Sequence, residues 1–321
     1  MALLQFEHHA MHTDFALFID GEERGKAEGA AQNVWSCVDR LEAQFNRFIT
    51  TSEVARIASL PPNTPTSVSR ELMDCLVLSA NLFAATNGCF DVTVGSLMDA
   101  WRHHNRDWNA IAPDEKQRAA EAASLARLEL DPAHLRLSIL PTKGGDSLPL
   151  ELDFGGLAKG YAIDAARPLL EDEWEIRSYM IHGGTSTVYA SGKRVDGSSW
   201  SVGMAGDWKA RAGLDRIAVD GIAISGSGIQ RKGEHIAVPP TRRSRRRHDA
   251  AWSCSTSAAV ADALSTAFLL MDWREIRQAC DALDSVQAGA FVPIRQPHSF
   301  DRIRRPYRQT RRFAQLTRAG D

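Results

Sequence analysis

Cysteine is scarce in this sequence, and a long apolar run is missing. The five cysteines are odd in number and include no Cys-x-x-Cys pair, which argues against a disulfide framework or a zinc site and favours a reducing compartment. No apolar run approaches the ~20 residues that a membrane-spanning helix needs. The first residues show no signal-peptide pattern and no lipid-anchor motif. We therefore expect a cytoplasmic protein without a membrane segment.

Net charge is also nearly absent, at −2, so no bulk charge draws the whole protein to nucleic acid. The arginines are unevenly spread: residues 242–247 and 295–321 hold 13 basic and only two acidic residues, which leaves an acidic body. Residues 242–247 contain no interleaved aromatic residue, and we interpret them as an exposed loop that could dock an acidic target. We predict one domain over residues 1–292 and an irregular arginine-rich tail over residues 293–321.

Hydrophobic periodicity indicates helices interleaved with antiparallel strands, which is typical of an α+β fold. Helices are expected at residues 30–48, 258–271 and 274–283. Another should begin at the cap Ser69 and end at the stop signal Asn87-Gly88. Two more should begin at Pro113 and near Lys159, and Pro168 should kink or end the second of these. The strands are expected at residues 13–19, 128–130, 135–139, 150–154, 178–181, 187–190, 200–204 and 217–224.

Two glycines separate a predicted strand from a predicted helix in the segment Asp153-Phe154-Gly155-Gly156-Leu157-Ala158-Lys159. Glycines let the backbone approach a ligand closely, and a helix N-terminus offers N–H groups to an anion. Lys159 adds a positive charge at the same place. The segment therefore fits a phosphate-bearing ligand, but taken alone it fits an ordinary tight turn with a solvated lysine somewhat better.

Asp262 and Thr266 are four residues apart in a predicted helix, so their side chains share one face. A carboxylate and a hydroxyl on a face of small residues supply the oxygen ligands that Mg²⁺ prefers. An ordinary helix, with Asp262 exposed and Thr266 bonded to a backbone carbonyl, explains the same pattern and is favoured when the segment is taken alone.

Other segments could lie against a ligand. Residues 224–228, Ile-Ser-Gly-Ser-Gly, are interpreted as a glycine-rich turn after a strand. His235 is a candidate general base because histidine titrates near neutral pH, although a single histidine is more often structural. His182-Gly183-Gly184-Thr185 is predicted at a strand end, and Asp91 could either bind a ligand or form a turn.

Taken in chain order, these segments resemble the ApbE-type flavin transferases over residues 11–292. The matching pieces are Met11-His12-Thr13, Ser52-Glu53-Val54-Ala55-Arg56-Ile57, Gly88-Cys89-Phe90-Asp91-Val92-Thr93, Asp153 to Asp164, His235-Ile236 with Pro239, and the run Ala261-Asp262-Ala263-Leu264-Ser265-Thr266-Ala267. The sequence departs from the family at three places. His12 replaces a glycine, the family's Asn-x-Gly-Gly-Asp region is His182-Gly183-Gly184-Thr185 here, and Pro240-Thr241 runs into the arginines.

The resemblance implies an α+β fold, related to the T-fold, of mixed and mainly antiparallel sheets with packed helices. It also implies transfer of FMN from FAD, with Mg²⁺, to a threonine or serine hydroxyl of a target flavoprotein, through a phosphoester bond and with release of AMP. His235 would be the acid/base. The flavin-nucleotide positions are Met11, Cys89, Phe90, Asp91, Asp153, Lys159 and Ile236, and the metal positions are Gly156 (through its carbonyl), Asp262, Ser265 and Thr266.

Three alternatives stay open at this stage. The same site could hydrolyse the FAD diphosphate to FMN and AMP, with water in place of the acceptor hydroxyl. The departures at His182 and Thr185 are compatible with a non-catalytic flavin-binding protein. A nucleic-acid-binding role for the arginine runs is the weakest of the three, and steep salt dependence of binding would reveal it.

Overall fold

The computed structural model describes residues 2–203, 216–228, 248, 250–283 and 289–291. The α-helices in these ranges are α1 (Arg24–Phe45), α2 (Glu53–Ala58), α3 (Arg70–Ala85), α4 (Gly95–His103), α5 (Pro113–Ala122), α6 (Ala158–Pro168), α7 (Ala258–Phe268) and α8 (Trp273–Ala282). The strands are β1 (Leu4–Ala10), β2 (Thr13–Ile19), β3 (Thr66–Ser67), β4 (Leu128–Asp131), β5 (Arg136–Ile139), β6 (Tyr179–Gly183), β7 (Thr187–Ser191), β8 (Trp200–Gly203), β9 (Arg216–Val219), β10 (Ile222–Gly228), β11 (Ala250–Ser255) and β12 (Gly289–Phe291).

A seven-stranded antiparallel sheet with the order β1-β2-β6-β7-β10-β11-β12 forms the centre of the fold. Alternation along β2 explains how the sheet acquires a buried face, because Phe15, Leu17 and Ile19 are fully buried and point to one side. Helices α6 and α7 pack on that face, and α1 packs against α6. The β8–β9 hairpin covers part of the other face around Trp200. The predicted α+β architecture is confirmed.

A smaller three-stranded antiparallel sheet, β3-β5-β4, lies beside the central sheet. Helix α3 packs on β4 and also contacts α7 and α8. Helices α4 and α5 enclose a separate apolar cluster in which Trp101 stacks on Trp108 at 6.3 Å between ring centroids. In the described part of the chain, no helix is long and apolar enough to cross a membrane.

Local capping and stop signals predicted several helix ends correctly. The Ser69 hydroxyl accepts the Leu72 N–H at the start of α3, and α5 begins at Pro113. Asn87 and Gly88 follow α3 with φ of 49° and 75°, the left-handed conformation that ends helices. The helix predicted over residues 30–48 is longer at its start and ends earlier, because α1 spans Arg24–Phe45.

Two strand predictions were wrong or incomplete, and strands β1, β3, β11 and β12 were not predicted. Residues 150–154 are extended but belong to no sheet, since they bond to the chain at Val92 and Gly95 instead. The single strand expected over residues 217–224 is two strands, β9 and β10, separated by a turn at Gly221 with φ of 66°. Strand β1 was not predicted, because its side chains are half exposed and largely polar at the edge of the sheet.

Helices α6 and α7 cross in direct contact, and this crossing builds the site described below. The Asp164 carboxylate of α6 accepts the Ser257 hydroxyl at 2.6 Å and the N–H groups of Ala258 and Ala259 at 2.8 and 2.9 Å, so it caps α7. A Cβ atom on Gly160 would lie 2.2 Å from the Ala258 carbonyl oxygen. Only glycine therefore permits the two helices to approach this closely.

We expect Gly160→Ala to lower the free energy of unfolding by about 3 kcal/mol, because the new methyl group meets rigid backbone of α7. Gly25→Ala is the matched control, since Gly25 is also helical and a Cβ atom there would meet nothing within 4 Å. This control should be neutral or stabilising by up to about 1 kcal/mol. Urea unfolding of both variants tests the expectation, and equal stabilities would contradict it.

Candidate functional site

The α6–α7 crossing places two oppositely charged side chains from distant parts of the sequence in contact. Lys159 Nζ donates to Asp262 Oδ2 at 3.0 Å and to the Gly155 carbonyl at 3.2 Å. Asp262 is only 2 % exposed. The ion pair therefore compensates a carboxylate that would be very costly to bury alone. The ordinary-helix interpretation, in which Asp262 is exposed, is wrong.

Hydroxyl groups from two neighbouring strands hold the other oxygen of the same carboxylate. Thr187 of β7 donates to Asp262 Oδ1 at 3.0 Å, and Ser225 of β10 lies 3.3 Å from the same atom. The Gly160 N–H donates to Oδ2 at 3.3 Å. Both oxygens of Asp262 thus have donors, and its orientation is fixed from two sides.

Neutral oxygens surround this ion pair. The Thr266 hydroxyl lies 3.2 Å from that of Ser227 and donates to the Asp262 carbonyl at 3.4 Å, so the predicted back-bond is present. Ser265 lies 2.8 Å from Ser227 and also donates to that carbonyl. The backbone at Gly156 is adjacent, because a Cβ there would lie 3.6 Å from Thr266 Oγ1. All four predicted metal positions therefore meet in one place.

The donor set of this cluster fits a hard cation such as Mg²⁺, because it consists of oxygen atoms only. The described ranges contain no group of three or more His, Cys, Asp or Glu side chains that could hold a metal ion, so hydroxyl and carbonyl oxygens would have to complete the ligand set. Asp262 would supply the negative charge, and the hydroxyls and the Gly156 carbonyl would supply neutral ligands. Lys159 would have to share Asp262 with the cation.

Asp153 lies at the start of the turn that leads to Gly156, and arginines fix it there. Its Oδ1 accepts the Gly155 N–H at 2.9 Å, which shapes the turn. Its Oδ2 lies 3.7 Å from Arg47 and 3.6 Å from Arg102. The Arg47 side chain is only 7 % exposed and also pairs with carboxylates of neighbouring segments, Asp99 and Glu151. The sequence analysis missed Arg47, since the contact spans over a hundred residues.

The segment with Cys89, Phe90 and Asp91 runs alongside this turn. The Asp153 N–H donates to the Val92 carbonyl at 2.7 Å, and a Cβ on Gly156 would lie 3.3 Å from the Phe90 ring. Cys89, Phe90 and Asp91 are all buried. The structure therefore brings three more predicted flavin-nucleotide positions next to the Gly156 turn.

Asp91 forms a turn and also keeps one oxygen unused. Its Oδ1 accepts the Thr93 N–H at 2.8 Å and the Thr93 hydroxyl at 2.6 Å. Its Oδ2 is buried and has no hydrogen-bond partner among the described residues. Burial raises the pKa of this carboxyl above 3.8, although the bonds from Thr93 oppose the rise. A buried oxygen without a partner is unusual in a native protein and is compatible with a polar ligand.

Met11 occupies the two-residue turn of the β1–β2 hairpin. Met11 and His12 have φ of 51° and 56°, and Ala10 pairs directly with Thr13. Positive φ at both central positions defines a type I′ turn, in which glycine is favoured. A histidine at position 12, where the family has a glycine, therefore adopts a backbone conformation that is strained for a residue with a side chain. None of the contacts described for Met11 reaches the Asp262 cluster, although Met11 packs against the main core.

Residues 224–228 differ from their sequence-based interpretation, whereas the strand end expected at His182 and Gly183 is confirmed, because β6 ends at Gly183. Residues 224–228 are not a turn, because β10 runs through them; Ser225 and Ser227 alternate onto the face that meets α7. His182 lies on the opposite sheet face from Gly183, and its ring packs edge-on against Phe18 at 5.6 Å. Its Nε2 is buried with no partner in the described part of the chain, and burial lowers its pKa.

Several predicted features fall outside the described residues. These are His235, Ile236, the arginine run at residues 242–247 and the tail at residues 293–321. The Thr187 hydroxyl, by contrast, belongs to the cluster and was not predicted. Ser225 and Ser227 also belong to it, and their segment was predicted to lie against a ligand, but as a glycine-rich turn. The alternation of Ser225 and Ser227 at a spacing of two was the available signal, and the turn interpretation hid it.

Comparisons of sequence agree with this arrangement of motifs. The pattern of the ApbE family matches residues 11–289. A relative named FAD:protein FMN transferase from Klebsiella pneumoniae (strain 342) is 25 % identical over 230 residues, which cover 70 % of this chain and 62 % of the relative. One of the same name from Chlamydia trachomatis is 25 % identical over 259 residues, covering 75 % and 78 % of the two chains. The matched region thus spans less than two thirds of the first of these relatives.

Solved structures share the fold. The flavin transferase ApbE from Vibrio cholerae superposes with a TM-score of 0.76 at 19 % identity, over 92 % of this chain and 95 % of that one. The flavinyl transferase ApbE from Pseudomonas stutzeri, in its apo form, gives a TM-score of 0.74 at 20 % identity, over 91 % and 93 %. Since the family pattern covers most of the sequence and the folds agree, this chain belongs to the ApbE family.

Proposed function

We propose that this protein is an FAD:protein FMN transferase that uses Mg²⁺. The observation that carries the proposal is the meeting of two sequence motifs at one point, where Lys159 lies 3.0 Å from the buried carboxylate of Asp262. Gly156 and Thr266 flank that ion pair. This arrangement combines a cation for a phosphate with oxygen ligands for a metal, and both are required for chemistry at a diphosphate.

The proposed reaction transfers the FMN half of FAD to a protein hydroxyl. The oxygen of an acceptor threonine or serine attacks the phosphorus on the FMN side, and the bond from that phosphorus to the AMP oxygen breaks. AMP leaves, and the hydroxyl proton passes to a base, for which His235 is the candidate. Bound Mg²⁺ would neutralise charge on the diphosphate oxygens. Lys159 would orient the diphosphate, and the Gly155-Gly156 turn would let it approach the backbone.

Charge balance supports joint binding of Mg²⁺ and FAD. Lys159 and Asp262 neutralise each other, and their side chains are 14 % and 4 % exposed. Mg²⁺ brings two positive charges, and the diphosphate of FAD brings two negative ones. The site stays neutral only when both enter, whereas either alone leaves uncompensated charge in a poorly solvated place. Mg²⁺ should therefore strengthen FAD binding.

The remaining assignments belong to the same proposal. Met11, Cys89, Phe90, Asp91, Asp153 and Ile236 would contact the flavin nucleotide, and Ser265 would assist the metal ligands. The partner is a flavoprotein with an acceptor threonine or serine. Residues 1–292 would form the transferase domain, with residues 293–321 as a tail. A cytoplasmic location remains a prediction that depends on the cysteine content.

Transfer is tested by incubating the protein with FAD, Mg²⁺ and a flavoprotein domain that carries an acceptor threonine. We expect the domain to gain the mass of one FMN and an equal amount of AMP to appear. The same domain with its threonine changed to alanine is the control. AMP and free FMN without a mass gain would identify a hydrolase, and tight FAD binding without products would identify a non-catalytic flavin-binding protein.

Asp262→Asn should lower the Mg²⁺-dependent transfer rate by on the order of a thousandfold, because no other carboxylate belongs to the proposed ligand set. The variant also removes the ion pair of Lys159, at a cost of about 3 kcal/mol in stability. Thr266→Val is therefore tested alongside it. This variant keeps the ion pair and should raise the Mg²⁺ concentration for half-maximal rate by about tenfold.

The control for this pair is Asp281→Asn, which removes an exposed carboxylate on α8 and should change neither rate nor Mg²⁺ dependence. Initial rates of AMP release over a range of Mg²⁺ concentrations give both quantities. Wild-type rates and Mg²⁺ dependence in both site variants would show that the metal does not bind at α7.

Asp91→Asn should raise the melting temperature at pH 7.5 while weakening FAD binding by about tenfold or more, the loss expected for a bond to a charged group. The folded-state pKa of Asp91 is raised by burial. Asp91 therefore makes its full contribution to the stability of the fold below the pKa that it has in the unfolded chain. This contribution is lost as pH rises through the pKa that Asp91 has in the folded protein. Asparagine cannot ionise and avoids that loss. The difference in melting temperature between the variant and the wild type should become smaller toward pH 4. A difference that does not depend on pH would contradict this prediction.

A further inference from the structure

Two buried hydroxyls lie directly opposite each other on neighbouring strands, beneath the carboxylate of Asp262. Thr187 and Ser225 are cross-strand partners in the β7–β10 register, and their oxygens are 2.9 Å apart. They are 1 % and 0 % exposed. The sheet register therefore builds a rigid pair of donors on the face that meets α7.

The pair and α6 divide the two oxygens of Asp262 between them. Oδ1 accepts the Thr187 hydroxyl at 3.0 Å and lies 3.3 Å from the Ser225 hydroxyl. Oδ2 accepts Lys159 at 3.0 Å and the Gly160 N–H at 3.3 Å. One oxygen is thus bound to the sheet and the other faces the Gly156 turn. Rotation of the carboxylate would break bonds on both sides.

The two hydroxyls can bond to Asp262 and to each other at the same time. Each hydroxyl has one proton to donate and can also accept a hydrogen bond. Thr187 can donate to Oδ1 while Ser225 donates to Thr187 or to Oδ1, so both protons are used. Bonds from hydroxyls to a carboxylate are stronger than those between neutral groups. The pair is therefore suited to hold the Asp262 carboxylate in one orientation.

We propose that Thr187 and Ser225 are positioning residues for the metal-binding carboxylate. They hold the Asp262 carboxylate in one orientation, so that its affinity for Mg²⁺ does not include the cost of ordering the side chain. This inference rests on the proposed function. The alternative is that these buried hydroxyls only attach the sheet to α7. Substitution of a third buried hydroxyl can distinguish between the two roles.

Ser253 of β11 carries this third hydroxyl. It is fully buried, and its hydroxyl donates to the Ala261 carbonyl of α7. It therefore attaches the sheet to the same helix one residue before Asp262, through the helix backbone and not through the carboxylate. Ser253→Ala removes a structural hydroxyl of the same kind and serves as the matched control.

The test measures FAD binding by fluorescence quenching as a function of Mg²⁺ concentration, without any acceptor protein. We expect Thr187→Val and Ser225→Ala each to raise the Mg²⁺ concentration for half-maximal FAD binding by about tenfold or more. Thr187→Ser keeps the hydroxyl and should restore the wild-type value. Ser253→Ala should leave that value unchanged even where thermal unfolding shows a comparable loss of stability.

The outcomes separate the two proposals. If wild-type protein binds FAD with a Mg²⁺ dependence that Thr187→Val leaves unchanged, the positioning role is wrong and the metal site stands. If Ser253→Ala raises the Mg²⁺ concentration for half-maximal FAD binding by the same factor, the shift reflects general destabilisation. That result would also overturn the positioning role. If Mg²⁺ has no effect on the wild type, the metal site is wrong and this inference with it.

Discussion

A carboxylate in the middle of the most deeply buried helix is the constraint on which the site depends. Ten of the eleven residues of α7 are buried, and Asp262 is one of them. An unpaired charge there would cost far more than the few kcal/mol of net stability that a domain of this kind possesses. The fold therefore brings donors to Asp262 from three of the elements that pack around it. Lys159 and Gly160 come from α6, and Thr187 and Ser225 come from the central sheet.

Meeting this requirement explains features that otherwise look unrelated. Gly160 allows α6 to touch the backbone of α7, so its own N–H reaches Asp262. Asp164, one turn further along α6, satisfies the first N–H groups of α7 and sets the crossing. Gly155 and Gly156 let the chain enter α6 beside Thr266. The same few residues that stabilise the buried carboxylate thus also bring together a cation, an anion and several neutral oxygens, which is the combination that the proposed diphosphate chemistry requires.

Local signals in the sequence predicted the parts of this arrangement that depend on short separations. The cap at Ser69, the start at Pro113 and the helix with Asp262 and Thr266 are fixed by neighbours within four residues. The Thr187–Ser225 pair depends on strand register across 38 positions, and Arg47 reaches carboxylates about a hundred residues away. Such contacts leave no local pattern. The second half of strand β10, after Ile224, was mistaken for a turn because its glycines have low strand propensity, which tertiary pairing overrides here.

The register of β10 and β11 fixes where the chain segment that contains the predicted acid/base begins and ends. Gly228 pairs with Ala250, so the connection between β10 and β11 leaves and returns at one end of the sheet. Ser225 and Ser227, which face Asp262 and Ser265, lie within three residues of that exit. His235 belongs to the connection by its position in the sequence. The strand that supplies Ser225 and Ser227 to the Asp262 cluster is therefore the one after which the segment with His235 begins, at Gly228.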